Sequence, residues 1–321
     1  MRRWIVAALL PLIFAGCTTK RVTLDGEQLA AVEAAGVEAD EIARLAAKPL
    51  YRMTPAETGE YLAYARQAFP DFRERVVHLG RKNIGQPYEL YLLGEYPFEV
   101  HDPQPLYCLD KSDCVVFTEH IYAMALSDSW ESFFWTLQRI HYRDGVIGVA
   151  TRNHYTEADW NPSNSWLVTD VSRELAGASV ATYKQKVDRA KFLAKRYKLE
   201  RDIPVETIEE AFVPKDQIAA ILPQLNNGDF VNIISTKDGG YFASHVGMVA
   251  VGEDGERHFL HSAAPKVREE TFDAFIARCE ARDARNLSKG LNKPQLAGFK
   301  FLRLNENPVV PPIPAQTAPN S

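Results

Sequence analysis

Residues 244–262, SHVGMVAVGEDGERHFLHS, decide what kind of sheet this chain builds. Two apolar runs flank "EDG" at 253–255, which suits a three-residue hairpin loop whose last position, Gly255, takes the left-handed conformation open to glycine. Closing that loop pairs Gly252 with Glu256 and carries the register back until Gly247 faces His261. Strand side chains alternate between faces, so His245 shares the face of Gly247 and hence of His261. The two imidazoles become diagonal neighbours, with Cα atoms roughly 7–8 Å apart, and Gly247 leaves the face open between them. A two-residue turn would put them on opposite faces, so the pairing depends on the loop type.

Working outward, further strands are expected at "DFVNIIS" (229–235), "RHFLHSA" (257–263) and "GFKFLRL" (298–304). The N-terminal half reads as helices. "TPAETGEYLAYARQAF" (54–69) opens with an N-cap threonine, a proline at the first helical position and a capping-box glutamate. "DFRERVVHLGRKN" (71–83) follows. After Cys114, residues Phe117, Ile121, Met124 and Ala125 fall on one helical face. Ser129 caps another helix, whose Trp130, Phe133, Phe134, Leu137 and Ile140 read as core. "ATYKQKVDRAKFLAKRY" (181–197) is expected to be helical. Helices first and an antiparallel sheet later is the α+β class.

The ends suggest an exported protein. "MRRWIVAALLPLIFAGC" has two arginines, an apolar run too short to span a membrane, and small residues before Cys17. "FAGC" resembles a bacterial lipobox, with Phe14 where leucine is more usual. Residues 1–16 are thus expected to be a lipoprotein signal peptide, with Cys17 lipidated and the membrane engaged through that anchor. Thr18 in place of aspartate favours the outer membrane, with the protein facing the periplasm of a bacterial envelope. Residues 17–50 read as a tether with a possible helix, 51–304 as the main folded domain and 305–321, rich in proline, as a disordered tail. Net charge is −5, which argues against a nucleic-acid partner. Oligomeric state is left open.

Four cysteines are present: Cys17, Cys108, Cys114 and Cys279. If Cys17 carries lipid, an odd number remains in an oxidising compartment and at least one thiol stays free; a Cys108–Cys279 bridge is open. Their spacing does not suit structural zinc, and nothing calls for a metal or other cofactor. Within "LDKSDCVVFTEH" (109–120), Cys114 follows Asp113, a natural helix cap. A thiol at a helix start is a candidate nucleophile, since the helix dipole and a nearby imidazolium both favour the thiolate. Cys114, with His245 as base and His261 as orienter, has the parts of cysteine catalysis.

"GQPYELYLLGE", "DCVVFTEH", "NNGDFVNI", "SHVGMVAVG" and "FLHSAA" occur in the order seen in NlpC-type, papain-like cysteine peptidases of bacterial cell walls, which the chain resembles over roughly residues 55–304. The closer likeness is to the N-acetylmuramoyl-L-alanine amidase-like family, which adds a segment matched by "GVATRNHYTEADW" (148–160). The resemblance implies a papain-like fold with the nucleophile helix packed on an antiparallel sheet. It implies Cys114 as nucleophile, His245 as base, His261 as third member and Tyr88 near the oxyanion site, beside the Cys114 backbone N–H. It also suggests Arg152 as a carboxylate clamp, with Tyr155 and Trp160 stacking on sugar or peptide. One departure is Val115-Val116, where the clan commonly has Ser-Gly. The implied reaction is hydrolysis of a peptidoglycan amide, between the muramic-acid lactyl group and L-Ala. A γ-D-glutamyl–diamino-acid endopeptidase, a papain-like acyltransferase and a non-catalytic wall-binding lipoprotein are the alternatives.

Overall fold

The computed structural model describes residues 21–315. The expected signal peptide and Cys17 lie outside them. Among the described residues four helices come first: α1 (Gly26–Ala35), α2 (Ala39–Ala46), α3 (Pro55–Ala68) and α4 (Phe72–Arg81). Thr54 and Glu57 form the expected capping box, with Pro55 at the first position of α3. The described part of the segment expected to be a tether, residues 21–50, is instead part of the folded body, with two helices in it. Ile42 and Leu45, one helical step apart, are fully buried, and Ala31 and Val32 join the same core. Arg44 and Lys48 both pair with Glu57 at 2.6 and 2.7 Å, fastening α2 to α3. Helices this short do not stand alone in water; packing one apolar face supplies their stability.

Two central helices follow, α5 (Cys114–Leu126) and α6 (Trp130–His141). Asp113 caps α5, its carboxylate accepting from the backbone N–H of Val115 and Val116 at 3.0 and 2.9 Å. Phe117, Ile121, Met124 and Ala125 are buried as their spacing predicts, and so are Phe133, Leu137 and Ile140 of α6.

Among the described residues the sheet has eight strands: β1 (Val168–Asp170), β2 (Ala181–Val187), β3 (Glu206–Pro214), β4 (Phe230–Lys237), β5 (Gly240–Val251), β6 (Arg257–Ala263), β7 (Lys266–Thr271) and β8 (Gln295–Leu304). Their order is β2-β3-β8-β4-β5-β6-β7, with β1 on β8, and every pairing is antiparallel. The α+β class is as expected. The helix expected over 181–197 is half strand: only α7 (Arg189–Tyr197) is helical. Tyr183 and Val187 of β2 are buried and Thr182 and Lys184 exposed, a period of two that propensity alone concealed; Asp188 then caps α7.

One face of the sheet packs on α5. Val246, Met248, Ala250 and Leu260 meet Phe117 and Ile121 there. The other face packs on α8 (Phe272–Ser288) through Val249, Phe259, Phe272, Phe275, Phe299 and Phe301. Residues 305–315, expected to be disordered, follow a course without helix or strand, and Ile313 lies against Gly145. Among the described residues no helix is long and apolar enough to cross a membrane.

Because α2 belongs to the core, Ile42→Ala is expected to lower the unfolding free energy by about 2–5 kcal/mol, read from urea denaturation. A loss within the error of the extrapolation would return this segment to the status of a tether.

Candidate active site

The hairpin closes as its sequence dictates. Gly252 N–H donates to the Glu256 carbonyl at 2.8 Å, Gly255 has φ +80°, and Val251 pairs with Arg257. A Cβ on Gly247 would stand 2.8 Å from the Cβ of His261 and 2.6 Å from the Phe259 ring, so only glycine lets β6 approach here. A bulge adds to this. Ile233 faces His245 and Ile234 faces Ala243, leaving Ser244 as the extra residue beside His245.

His245 Nε2 lies 2.7 Å from His261 Nδ1, and His261 Nε2 lies 2.8 Å from Glu270 Oε1. Glu270 also receives Arg268 at 3.1 Å and Arg278 at 2.5 Å. Although burial pushes its carboxyl up, His261, Arg278 and Arg268 hold it well below the usual carboxylate range. Burial depresses both imidazoles, His245 strongly, so both are neutral. Tautomers then follow from the bonds. A carboxylate can only accept, so His261 carries its proton on Nε2; its Nδ1 must accept, so His245 carries its proton on Nε2. The lone pair of His245 is left on Nδ1, which has no hydrogen-bond partner among the described residues.

Cys114 is the first residue of α5, and α5 reaches β5 at Val246. The backbone N–H groups of Val246, Val115 and Cys114 itself all favour its thiolate. Burial outweighs them: with the Asp113 carboxylate it pushes the thiol up to about 12. This corrects the expectation of a lowered pKa. The helix start does supply donors, but excluding water from a sulfur anion costs more than they return. Among the described residues Cys114 and His245 share no hydrogen bond. The resting pair is thiol and neutral imidazole.

Tyr88 sits close by. Its backbone N–H donates to the Pro265 carbonyl at 3.0 Å and its backbone bridges to Ser112. Burial, together with the charges of Cys114 and Asp113, pushes the phenol up to about 12, which keeps it a hydrogen-bond donor.

The other expected substrate contacts are engaged elsewhere. The Arg152 guanidinium pairs with Glu95 at 2.5 Å and Asp102 at 3.1 Å, with its side chain only 10% exposed, so its bidentate capacity is spent inside the protein. Trp160 is 2% exposed; its indole N–H donates to Glu119 at 2.8 Å and its ring packs on Phe230, which rules out stacking on a ligand. Tyr155 packs edge-on against Phe192 of α7. Cys108 and Cys279 are both free and belong to different apolar clusters.

A cavity of about 490 Å³ opens on the two imidazoles, walled by α8 and the chain just after it. Glu270, the acceptor that fixes both tautomers, was not singled out from the sequence. Its signal lay in the alternation of "KVREET" (266–271): His261 faces Arg268, and Glu270 is two residues on, on the same face. Among the described residues no three histidine, cysteine or acidic side chains are grouped to hold a metal ion.

The chain resembles a solved protein from Legionella pneumophila (18% identity, TM-score 0.62), covering 73% of this chain and 89% of the other. A structure described as an N-acetylmuramoyl-L-alanine amidase from Bacteroides uniformis aligns at 22% identity and TM-score 0.55, over 73% and 99% of the two chains. A Bacteroides fragilis protein provisionally described as a xylanase aligns at 25% and 0.50, over 70% and 98%. No curated protein matches. The family model for N-acetylmuramoyl-L-alanine amidase-like proteins matches residues 78–279, well over half of the sequence, and the chain belongs to that family.

Proposed function

We propose that this protein hydrolyses the amide between the muramic-acid lactyl group and L-Ala of peptidoglycan by cysteine catalysis, in a papain-like arrangement. The observation that carries the reading is the Glu270–His261–His245 chain, which ends in a free Nδ1 lone pair on the strand whose next N–H meets the Cys114 thiol. The family supplies the peptidoglycan amide as substrate class.

Because thiol and imidazole are both neutral at rest, attack is general-base catalysed. His245 Nδ1 takes the Cys114 proton as sulfur bonds to the carbonyl carbon. His261, anchored by Glu270, stabilises the imidazolium that forms. The Cys114 N–H and the Tyr88 hydroxyl are suited to hold the oxyanion. His245 then protonates the departing amine of L-Ala, leaving a thioester. Water, deprotonated by the same imidazole, releases the lactyl acid and restores the thiol. Glycoside hydrolysis would need two carboxyl groups flanking the cleft, and none lines it among the described residues. We further place the enzyme in the cell envelope, anchored by lipid on Cys17 at the outer membrane and facing the periplasm.

Digestion of defined muropeptides, followed by mass spectrometry, is expected to yield free stems beginning with L-Ala from the wild type and none from Cys114→Ala. A cut after D-Glu would replace the amidase reading with the endopeptidase one. The resting protonation state has its own consequence. A thiol pushed up to about 12 is protonated at neutral pH, so alkylation of Cys114 in the free enzyme should rise roughly tenfold per pH unit across pH 7–10. A rate that levels off below pH 8 would instead reveal a preformed thiolate–imidazolium pair.

A further inference from the structure

The cavity beside His245 has an unusual charge for a protein of net charge −5. Four cationic side chains line it, Arg268, Arg278, Arg282 and Lys293, and among the described residues no carboxylate does. Three of the four are already engaged, Arg268 and Arg278 by sharing Glu270. Arg282 is held by Asp283 at 2.9 Å, yet 46% of its side chain remains exposed. Lys293 has no ion-pair partner among the described residues. Glu270 and Asp283 stand behind the wall rather than on it, so two carboxylates answer four cations and the surplus faces the cavity. Ser235 and Asn286 add neutral hydrogen-bonding groups to the same lining.

We propose that this cleft is the carboxylate-binding subsite for the peptide stem of the substrate, with Arg282 and Lys293 as its recognition groups. The inference rests on the amidase reading and orients the substrate within it. In a muramoyl peptide the lactyl carboxyl is consumed in the scissile amide, so the free carboxylates all lie on the stem. A wall of cations therefore takes the stem side of the bond, toward α8, and directs the glycan away from it. A guanidinium offers a fork of donors to a carboxylate and an ammonium a mobile point charge, so the pair suits two acidic groups better than one neutral chain. Arg152, the clamp suggested by sequence, cannot serve this purpose because Glu95 and Asp102 saturate it.

The test titrates a synthetic stem tripeptide, L-Ala–γ-D-Glu–diamino acid, into the full protein carrying Cys114→Ala, using calorimetry. Its counterpart with every free carboxyl converted to carboxamide is the control probe. Replacing Arg282→Gln and Lys293→Gln together is expected to weaken the acidic peptide about tenfold or more, while the amidated peptide changes less than about twofold. Equal weakening of both peptides, or no preference for the acidic one at the outset, would overturn the subsite. Turnover by otherwise wild-type enzyme separates the two ideas. Cleavage of muropeptides with a KM untouched by the double substitution sinks the subsite alone. Charge-dependent stem binding without cleavage sinks the amidase reading alone.

Discussion

Everything at the candidate site hangs on the pairing of Gly252 with Glu256, because strand register is indivisible. A slip of one residue would turn His261 toward α5 and Leu260 toward α8, exchanging a polar group for an apolar one in two cores at once. Gly255 permits the loop, Gly247 permits the close approach, and the Ser244 bulge adjusts the direction of β5 just where His245 leaves it. The site is therefore a product of backbone geometry before it is one of side-chain chemistry.

The sheet separates two environments. On the α5 face aliphatic and aromatic groups surround the helix that Cys114 begins. On the α8 face Phe259 stacks on His261 at 4.3 Å and Phe275 meets it edge-on. Those rings bury His261 and burial depresses its basicity, while Glu270 compensates by giving that inner ring one fixed tautomer. An aromatic shelf with a single ionic support is a way to hold two neutral histidines in one orientation.

Local signals were the legible ones. The capping residues Thr54, Asp113 and Ser129, the apolar stripe of α5 and the three-residue hairpin loop can be read within a dozen positions, and each appears as expected. The same reading brought His245 and His261 together. What escaped was set by distant partners. Arg152 looked free because Glu95 and Asp102 lie some fifty positions away. Trp160 looked like a stacking platform because nothing near it in the chain announces Glu119 or Phe230. The Cys114 thiol departs from its local expectation for a related reason: the donors at a helix start are visible in sequence, while the burial that outweighs them comes from the assembled fold.

Burial that keeps the Cys114 thiol protonated bears on its redox chemistry as well. Peroxides and disulfides react with the thiolate, and the path to sulfenic and sulfinic acids begins there. On the proposed mechanism, Cys114 ionises only as its proton passes to His245, and it then presents almost no anion to small oxidants between turnovers. On that reading, chemical durability and catalysis arise from one arrangement, a half-buried thiol with an imidazole on the adjoining strand.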